Sequence, residues 1–295
     1  MNKLRLHRNL RHDTEKGAMM LALWLLLFAL LPVGHASAAP AFVQVKACVG
    51  SLVTSTTCNI TGVAPGSTLI VNCKLSHLGP CTPTSAQVTW RLAISTDHPL
   101  TGWTNEIWYA YSAAGGTVNS TFRAGQTDAI RIVMGEFSGV ASSNPVQTSS
   151  SRTGVPSNPC GNQPRCVMDP PNITTTESNE LLILSVGTDS DLSDSVGFTA
   201  GTGWTWVHPV LPSIACGYNG EPAQKVCYEY RLAPTPGTYG GGNTTIVTDS
   251  FVSLLVAFKG TGGGDVTAPT APKGVTISKL NTEAMIVRRI VNGTH

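Results

Sequence analysis

Charged residues are scarce in this chain, which has 19 Lys and Arg and 17 Asp and Glu among 295 residues. Five of the basic residues precede residue 17, in front of the apolar run AMMLALWLLLFALLPVG (18–34). Without the first 38 residues, 14 basic and 15 acidic residues remain. No basic patch is left that would predict binding to nucleic acid or to an anionic membrane.

Motifs of the common catalytic classes are also missing. The chain has no G-x-S-x-G, and GEFSG (135–139) has the wrong spacing for that turn. It has no H-E-x-x-H, and its Gly-rich runs at 237–243 and 260–265 precede no predicted helix. His98 and His208 each precede a proline, which favours a loop. These absences argue against a serine hydrolase, a zinc protease and a phosphate-binding loop.

The first residues carry the features of an export signal. A basic stretch and the apolar run lead to Ala36-Ser37-Ala38, an A-x-A cleavage site. We therefore expect a signal peptide over 1–38, a secreted or cell-surface product and no membrane span after cleavage. The alternative, an uncleaved anchor, needs about 20 apolar residues, and the run is shorter. No Cys follows the site and no adjacent Arg pair precedes the run, so neither a lipoprotein nor twin-arginine export is indicated.

Eight cysteines follow the signal segment, an even number that indicates disulfides in an exported chain. Sequence alone leaves 105 connectivities open. Their close spacing favours four short loops. A zinc site would need C-x2–4-C couples or partner histidines, and the spacings do not fit. The predicted pairs are Cys48–Cys58, Cys73–Cys81, Cys160–Cys166 and Cys216–Cys227.

Short alternating or apolar runs separated by turn residues predict an all-β, antiparallel two-sheet β-sandwich over 39–260. No helix is predicted beyond the signal helix. The polar stretch between Gly139 and Glu177 is predicted to be a long loop, with one edge strand as the alternative within it. The predicted strands are 41–47, 67–73, 86–95, 106–113, 116–123, 128–137, 179–187, 203–207, 226–232, 244–250 and 251–260.

Five of these runs resemble a family of exported bacterial β-sandwich modules found upstream of, or between, fibronectin type III and other surface modules. They are WYAYSAAGG (108–116), AIRIVMGEFSGV (129–140), ELLILSVGT (180–188), FTAGTGWTWV (198–207) and SFVSLLVAFKG (250–260). The resemblance implies a jelly-roll-like, lectin-like sandwich at or beyond the cell surface. It brings no catalytic residues with it.

The segment after the sandwich, 261–295, is predicted to be a linker followed by the truncated start of another domain. DVTAPTAPKGVTISKL (265–280) resembles the linker and first strand of a fibronectin type III domain, which needs roughly 90–100 residues. We therefore expect a second domain that this chain does not contain, and a disordered tail. The alternative is a short tail whose strand adds to a sheet edge.

Two groups of residues are candidates for binding. Asp189, Asp191 and Asp194 in TDSDLSD (188–194) offer hard oxygen ligands for Ca²⁺, although Asp and Ser also favour plain turns. Trp103, Tyr109 and Tyr111 are candidates for an exposed aromatic platform on which a sugar can stack. Core packing is the alternative for such aromatics, and it is favoured for Trp90, Trp108 and Trp204. No cofactor is predicted apart from this calcium.

The leading expectation is a non-catalytic binding or spacer module, with polysaccharide or another surface protein as partner. One alternative is a secreted glycan-active hydrolase, whose carboxylates would come from Glu106, Glu136, Asp189 and Glu229. The other is a structural spacer for a missing domain.

Five N-x-[ST] sequons, at Asn59, Asn119, Asn172, Asn243 and Asn292, would be glycan acceptors in a eukaryotic chain and ordinary strand and turn sequence in a bacterial one.

Overall fold

The computed structural model describes residues 39–154, 166–168, 170–188, 200–207, 226–240, 244–245 and 250–261. Within these ranges the chain is all-β and its paired strands are antiparallel, as predicted. The strands are β1 (Ala41–Val63), β2 (Ser67–Leu75), β3 (Thr82–Ser85), β4 (Arg91–Asp97), β5 (Thr104–Ser112), β6 (Gly116–Ser138), β7 (Val146–Gly154), β8 (Cys166–Val167), β9 (Ile173–Thr175), β10 (Glu180–Thr188), β11 (Thr205–Trp206), β12 (Val226–Ala233), β13 (Gly237–Tyr239), β14 (Thr244–Thr245) and β15 (Phe251–Phe258).

Two main sheets carry most of these strands. Sheet I has the order β1-β6-β2-β5-β4, with β3 also paired to β6, and sheet II has the order β11-β12-β10-β15-β7. A hydrophobic cluster joins the two sheets, with Ile70, Ile107 and Phe137 from sheet I and Ile183 and Leu254 from sheet II. None of the described residues forms a helix long and apolar enough to cross a membrane. The predicted signal peptide and tail lie outside the described residues.

Several strand boundaries differ from the prediction. The two strands predicted at 116–123 and 128–137 are one long strand, β6, and β1 continues well beyond residue 47. The run at 86–95 does not form one alternating strand, because β4 begins at Arg91 and its pairing shifts register between Leu92 and Ile94. Leu92 is consequently 46% exposed and does not share a buried face with Val88.

The long strand β1 contains a sharp bend. Cys48 and Cys58 lie in this one strand, ten residues apart, and their Cα atoms are 5.6 Å apart in a disulfide. Ten residues of a straight strand would span about 33 Å. β6 follows the bend, pairing Ile130 with Gly50 and Arg123 with Ser55. The chain beyond the bend forms a three-stranded layer, called here the outer ribbon (53–63 of β1, 116–123 of β6 and β3).

The outer ribbon covers the face of sheet I that points away from sheet II. One hydrophobic cluster contains Leu69 and Val71 of β2 together with Ile60 and Phe122 of the outer ribbon. On the other face of the same strand, Ile70 packs against sheet II. All nine residues of β2 are therefore buried, and this explains why its sequence reads as a continuous apolar run.

The bend itself depends on close backbone packing. A Cβ atom on Gly50 would lie 2.6 Å from Cγ2 of Val53 and 2.8 Å from Oγ1 of Thr56. Leu52 has a φ of 53°, in the left-handed region. The guanidinium of Arg131, which is 6% exposed, donates to the carbonyl oxygen of Gly50 at 3.2 Å. A residue without a side chain and a buried donor thus hold the point where the strand reverses.

Two of the four predicted disulfides are confirmed, Cys48–Cys58 and Cys73–Cys81. The second has a Cα–Cα distance of 6.4 Å and ties the end of β2 to the residue before β3. Cys227 is also disulfide-bonded. The side chains of Cys160, Cys166 and Cys216 lie outside the described residues. Disulfides indicate an oxidising environment, as an extracellular location provides.

A polar bridge crosses the otherwise apolar space between the sheets. Asn105 Nδ2 donates to Ser185 Oγ at 3.1 Å and to the carbonyl oxygen of Val252 at 3.3 Å. Its Oδ1 accepts a hydrogen bond of 2.8 Å from Asn72 Nδ2. Tyr228 adds a second crossing by donating to the carbonyl oxygen of Ile70. These bonds fix the alignment of the sheets, because sliding would leave buried polar groups without partners.

Gly50→Ala is expected to lower the free energy of unfolding by about 1–3 kcal/mol, because the new methyl group overpacks the bend. Gly125→Ala is the matched control: it lies near the same bend on β6, where a Cβ would meet nothing within 4 Å. Urea unfolding of both variants under oxidising conditions measures the difference. Equal stability of the two variants would contradict this account of the bend.

Asn105→Leu is expected to lower the free energy of unfolding by about 2–3 kcal/mol. It removes the bridge, leaves the Ser185 hydroxyl buried without its partner, and leaves Asn72 Nδ2 with only its bond to the carbonyl oxygen of Glu106. Asn59→Leu, at an exposed position of β1, should change stability by less than about 0.5 kcal/mol. Thermal or urea unfolding of both variants and of the wild type measures these two changes in stability. A neutral Asn105 variant would show that the bridge does not align the sheets.

Candidate functional site

The sandwich has two different ends. At one, called here the terminal end, Ala41 pairs with Ser138 and Val140 bridges Gly260, so the domain begins and finishes there. A Cβ on Gly260 would lie 3.3 Å from Cδ of Pro40. At the other, called here the distal end, Leu75 and Asp97 both pair with Thr104, and Phe251 pairs with both Thr188 and Gly154. Two described loops, 76–81 and 98–103, extend from the distal end.

Trp103 is at the centre of the distal end and is not exposed. Its side chain is 0% exposed, which corrects the expectation that it offers a free face for a sugar. The ring of His98 stacks on it with centroids 5.7 Å apart and planes 6° apart. Lys74 Nζ lies 4.4 Å from the ring centroid, in cation–π contact. Trp103 therefore packs the loop 98–103 onto the sheets.

Both ring nitrogens of His98 take part in hydrogen bonds. Its Nδ1 accepts from the backbone N–H of Thr101 at 3.2 Å, so Nε2 carries the proton. Nε2 then donates to the carbonyl oxygen of Gly154 at 2.6 Å. This bond ties the loop of sheet I to the end of β7 in sheet II. The imidazole is buried and engaged at both nitrogens, so it is not placed to act as a catalytic base.

The predicted aromatic platform does not assemble. Tyr109 is half-buried, and its ring meets that of Phe258 between the sheets at 5.7 Å. Tyr111 is 39% exposed, but it lies near Gly66 at the terminal end. Eight residues of strand, about 26 Å, separate it from Trp103. The core positions favoured for Trp90, Trp108 and Trp204 are confirmed, with Trp204 buried and the other two packed against the core as half-buried residues.

The loop 76–81 wraps around a buried carboxylate. Asp128 is 1% exposed and accepts from the backbone N–H groups of Ser76 at 2.7 Å and His77 at 3.3 Å. The Thr104 hydroxyl links this loop to the next one, because it accepts from the N–H of Gly79 and donates to Asp97. The loop is consequently well ordered by hydrogen bonds at its base, while its tip faces solvent.

That tip carries apolar side chains. Leu78 is 58% exposed and Leu100 of the neighbouring loop is 72% exposed. A Cβ on Gly102 would lie 3.7 Å from Cγ of Leu78, so this leucine lies beside the neighbouring loop. His77 beside them is also exposed, at 55% of its side chain. The distal end thus presents a small, supported, mostly uncharged tip that can contact another molecule.

The carboxylate candidates are parts of the interior. Glu106 is 2% exposed. It accepts from Trp108 Nε1 at 2.7 Å, Ser95 Oγ at 2.9 Å and the N–H of Cys81 at 3.0 Å. Burial raises the pKa of this carboxyl group, those hydrogen bonds oppose the rise, and the negative charge of Asp97 adds to it. The carboxylate thereby holds Cys81, which closes the second disulfide and directly precedes β3.

The other candidates do not complete an acid–base pair with Glu106. Glu136 is buried and accepts from Gln44 Nε2 and the N–H of Ala64. Glu106 pairs with Cys73 on one side of β2, and Glu136 pairs with Leu69 on the other, so their Cα atoms are about 16 Å apart. A glycosidase needs carboxyl groups about 5–10 Å apart. Glu229 pairs with Leu184 in sheet II, on the face turned away from sheet I.

The predicted calcium ligands, Asp189, Asp191 and Asp194, lie outside the described residues. Within the part of the chain that the structure describes, no three His, Cys, Asp or Glu side chains are grouped so that they could hold a metal ion.

The exposed face of the outer ribbon is a feature that the strand prediction missed. Thr57, Asn59 and Thr61 of β1 alternate there with buried Cys58 and Ile60. Two predicted sequons, Asn59 and Asn119, sit directly opposite each other on this face. The alternation of polar and apolar residues in TTCNIT (56–61) is typical of a strand. Nothing in the sequence showed that this strand folds back to form a separate layer.

A comparison with protein-family models, with curated proteins and with solved structures found no match. The function is therefore inferred from the residues of this chain and from their arrangement.

The free energy of unfolding is expected to depend on the ionisation of Glu106. Because burial raises its pKa above the ordinary 4.5, the folded protein binds this proton more tightly than the unfolded chain does. Stability should therefore fall as the pH rises from 4.5 through the raised pKa. Glu106→Gln cannot ionise, so its stability should change less over the same range.

Chemical unfolding at a series of pH values measures both curves. Glu180, whose pKa burial also raises, is present in both proteins and does not contribute to the difference. Parallel curves for the wild type and Glu106→Gln would show that this carboxyl group ionises alike in the folded and unfolded chains.

Proposed function

We propose that the chain is an exported, non-catalytic module that binds polysaccharide at or beyond the cell surface. The observation that carries this proposal is the meeting of both ends of the domain at the terminal end, where Ala41 pairs with Ser138 and Val140 bridges Gly260. A module attached to its chain at one end leaves its distal end and its outer faces free for a ligand.

The same geometry argues against a spacer. A domain adds length between its neighbours when the chain enters at one end and leaves at the other. Here Thr261 donates its N–H to the carbonyl oxygen of Gly139, and Ala41 pairs with the neighbouring Ser138. The chain therefore leaves beside the point where it entered, and the domain contributes almost no distance along the chain.

The carboxylates argue against the glycan-active hydrolase. Glu106, Glu136 and Asp128 are each almost fully buried, and each accepts hydrogen bonds from backbone N–H groups of loops or strand ends. Their lone pairs are occupied by groups that the fold needs. Catalytic acids and bases must instead reach a bound substrate.

Finer parts of the proposal rest on the sequence. The resemblance to exported bacterial modules supports a jelly-roll-like, lectin-like sandwich, and the signal-like segment 1–38 supports export. The segment 261–295 resembles the start of a fibronectin type III domain, which supports a place among surface modules.

The test is a binding experiment with the full chain produced under oxidising conditions. The protein is incubated with suspensions of insoluble polysaccharides, such as cellulose and chitin, with calcium or with a chelator. The protein retained and the soluble sugar released are both measured. Retention without release is expected, and calcium-dependent retention would support the predicted ligands at 188–194. Release of sugar would favour the hydrolase, and the absence of both would overturn the proposal.

A further inference from the structure

The exposed face of the outer ribbon carries a regular array of polar side chains. Thr57 pairs with Thr121 in β6, and Thr121 pairs on its other side with Thr84 in β3. Asn59 and Asn119 form the next row. Neighbouring strands lie about 4.8 Å apart, and side chains on one face repeat about every 6.8 Å along a strand. Hydroxyl and amide groups therefore form a small two-dimensional lattice.

This array rests on a rigid support. Its inward-facing neighbours, such as Cys58, Ile60 and Phe122, are buried in the core against sheet I. The Cys48–Cys58 disulfide holds the outer ribbon to the sheet beneath, and Trp90 Nε1 donates to Ser120 Oγ at 3.2 Å. Threonine is also stiff at χ1. Little conformational entropy would be lost when a ligand contacts the array, which favours binding.

The array is almost free of charge. The outward positions of the outer ribbon include neither a carboxylate nor an ammonium group, and the guanidinium of Arg123 lies at one corner, beside the bend. An anionic polymer would find one counter-charge, Arg123, at the edge of this face, and a cationic polymer would find none. A neutral, hydroxylated ligand matches it, since threonine hydroxyls and asparagine amides can both donate and accept. The Thr84 hydroxyl donates to the carbonyl oxygen of Thr121 at 3.3 Å, so toward a ligand it acts as an acceptor.

We infer that this face, centred on Thr57, Thr84 and Thr121, is the site at which the module binds an uncharged polysaccharide lying flat across the three strands. The hydroxyls would bond with the equatorial hydroxyls of the sugar, and the γ-methyl groups would contact its C–H faces. The inference rests on the proposed function and assigns it a place and a ligand class.

The test compares variants in the cellulose and chitin retention assay. Changing Thr57, Thr84 and Thr121 together to valine removes three hydroxyls but keeps the β-branched shape, so the strands should still form. Retention is expected to weaken about tenfold or more, because three hydrogen-bonding groups are lost. Changing the same residues to serine restores the hydroxyls and should recover most of the binding.

The matched control is the pair Thr174→Val and Thr238→Val. These threonines also face each other across two strands, with their hydroxyl oxygens 3.3 Å apart, compared with 3.4 Å for Thr57 and Thr121. Retention of the control should equal that of the wild type. Unfolding midpoints measured for every variant separate a loss of binding from a loss of folding.

The distal end provides the competing location. If Leu78→Ser with Leu100→Ser abolishes retention while the valine variant binds normally, the polysaccharide binds at the distal end. The inference is then overturned, whereas the proposed function stands. If the wild-type chain binds no polysaccharide, both fail.

Discussion

The reversal of β1, held by the disulfide between Cys48 and Cys58, is the constraint on which the other features depend. Because the strand folds back, the outer ribbon covers one face of sheet I, and sheet II covers the other face. β2 is therefore buried along its whole length. The same reversal places the threonines of the outer ribbon on the surface, above the core that supports them. Without it, the apolar side chains of Leu69 and Val71 would face solvent.

A layer that is covered on both sides has no solvent to satisfy its polar groups, so those groups must find partners within the protein. Asn105 bonds across the space between the sheets, Glu106 collects three donors, and Asp128 collects backbone N–H groups of a loop. These interactions join parts of the chain that are distant in sequence. In the sequence, the carboxylates among these residues were candidates for catalysis. In the folded chain, their hydrogen bonds hold particular loops to particular strands.

Local patterns predicted much of this fold. Alternation and apolar runs located β2, β5, β10, β12 and β15, because each strand's pattern reflects burial that is set locally. Close spacing predicted two of the disulfides. The reversal at Gly50 was missed, since a bend within a strand leaves no turn cluster in the sequence. The burial of Trp103 was missed because its neighbours, Lys74 and Gly187, come from other strands. The separation of Glu106 and Glu136 depends on strand register, which the sequence does not reveal.

The closeness of the two ends of the domain, where Ala41 pairs with Ser138 and Thr261 bonds to Gly139, has a mechanical consequence. Tension applied to the chain enters at β1 and leaves at the end of β15, and these points are neighbours. The contacts beside these two points therefore bear the force. The rest of the domain lies off the line between the two points and transmits none of it. A pull strong enough to separate these two strand ends would open the sheets from that edge, one hydrogen bond after another. The outer ribbon and the distal loops keep their shape until that opening reaches them.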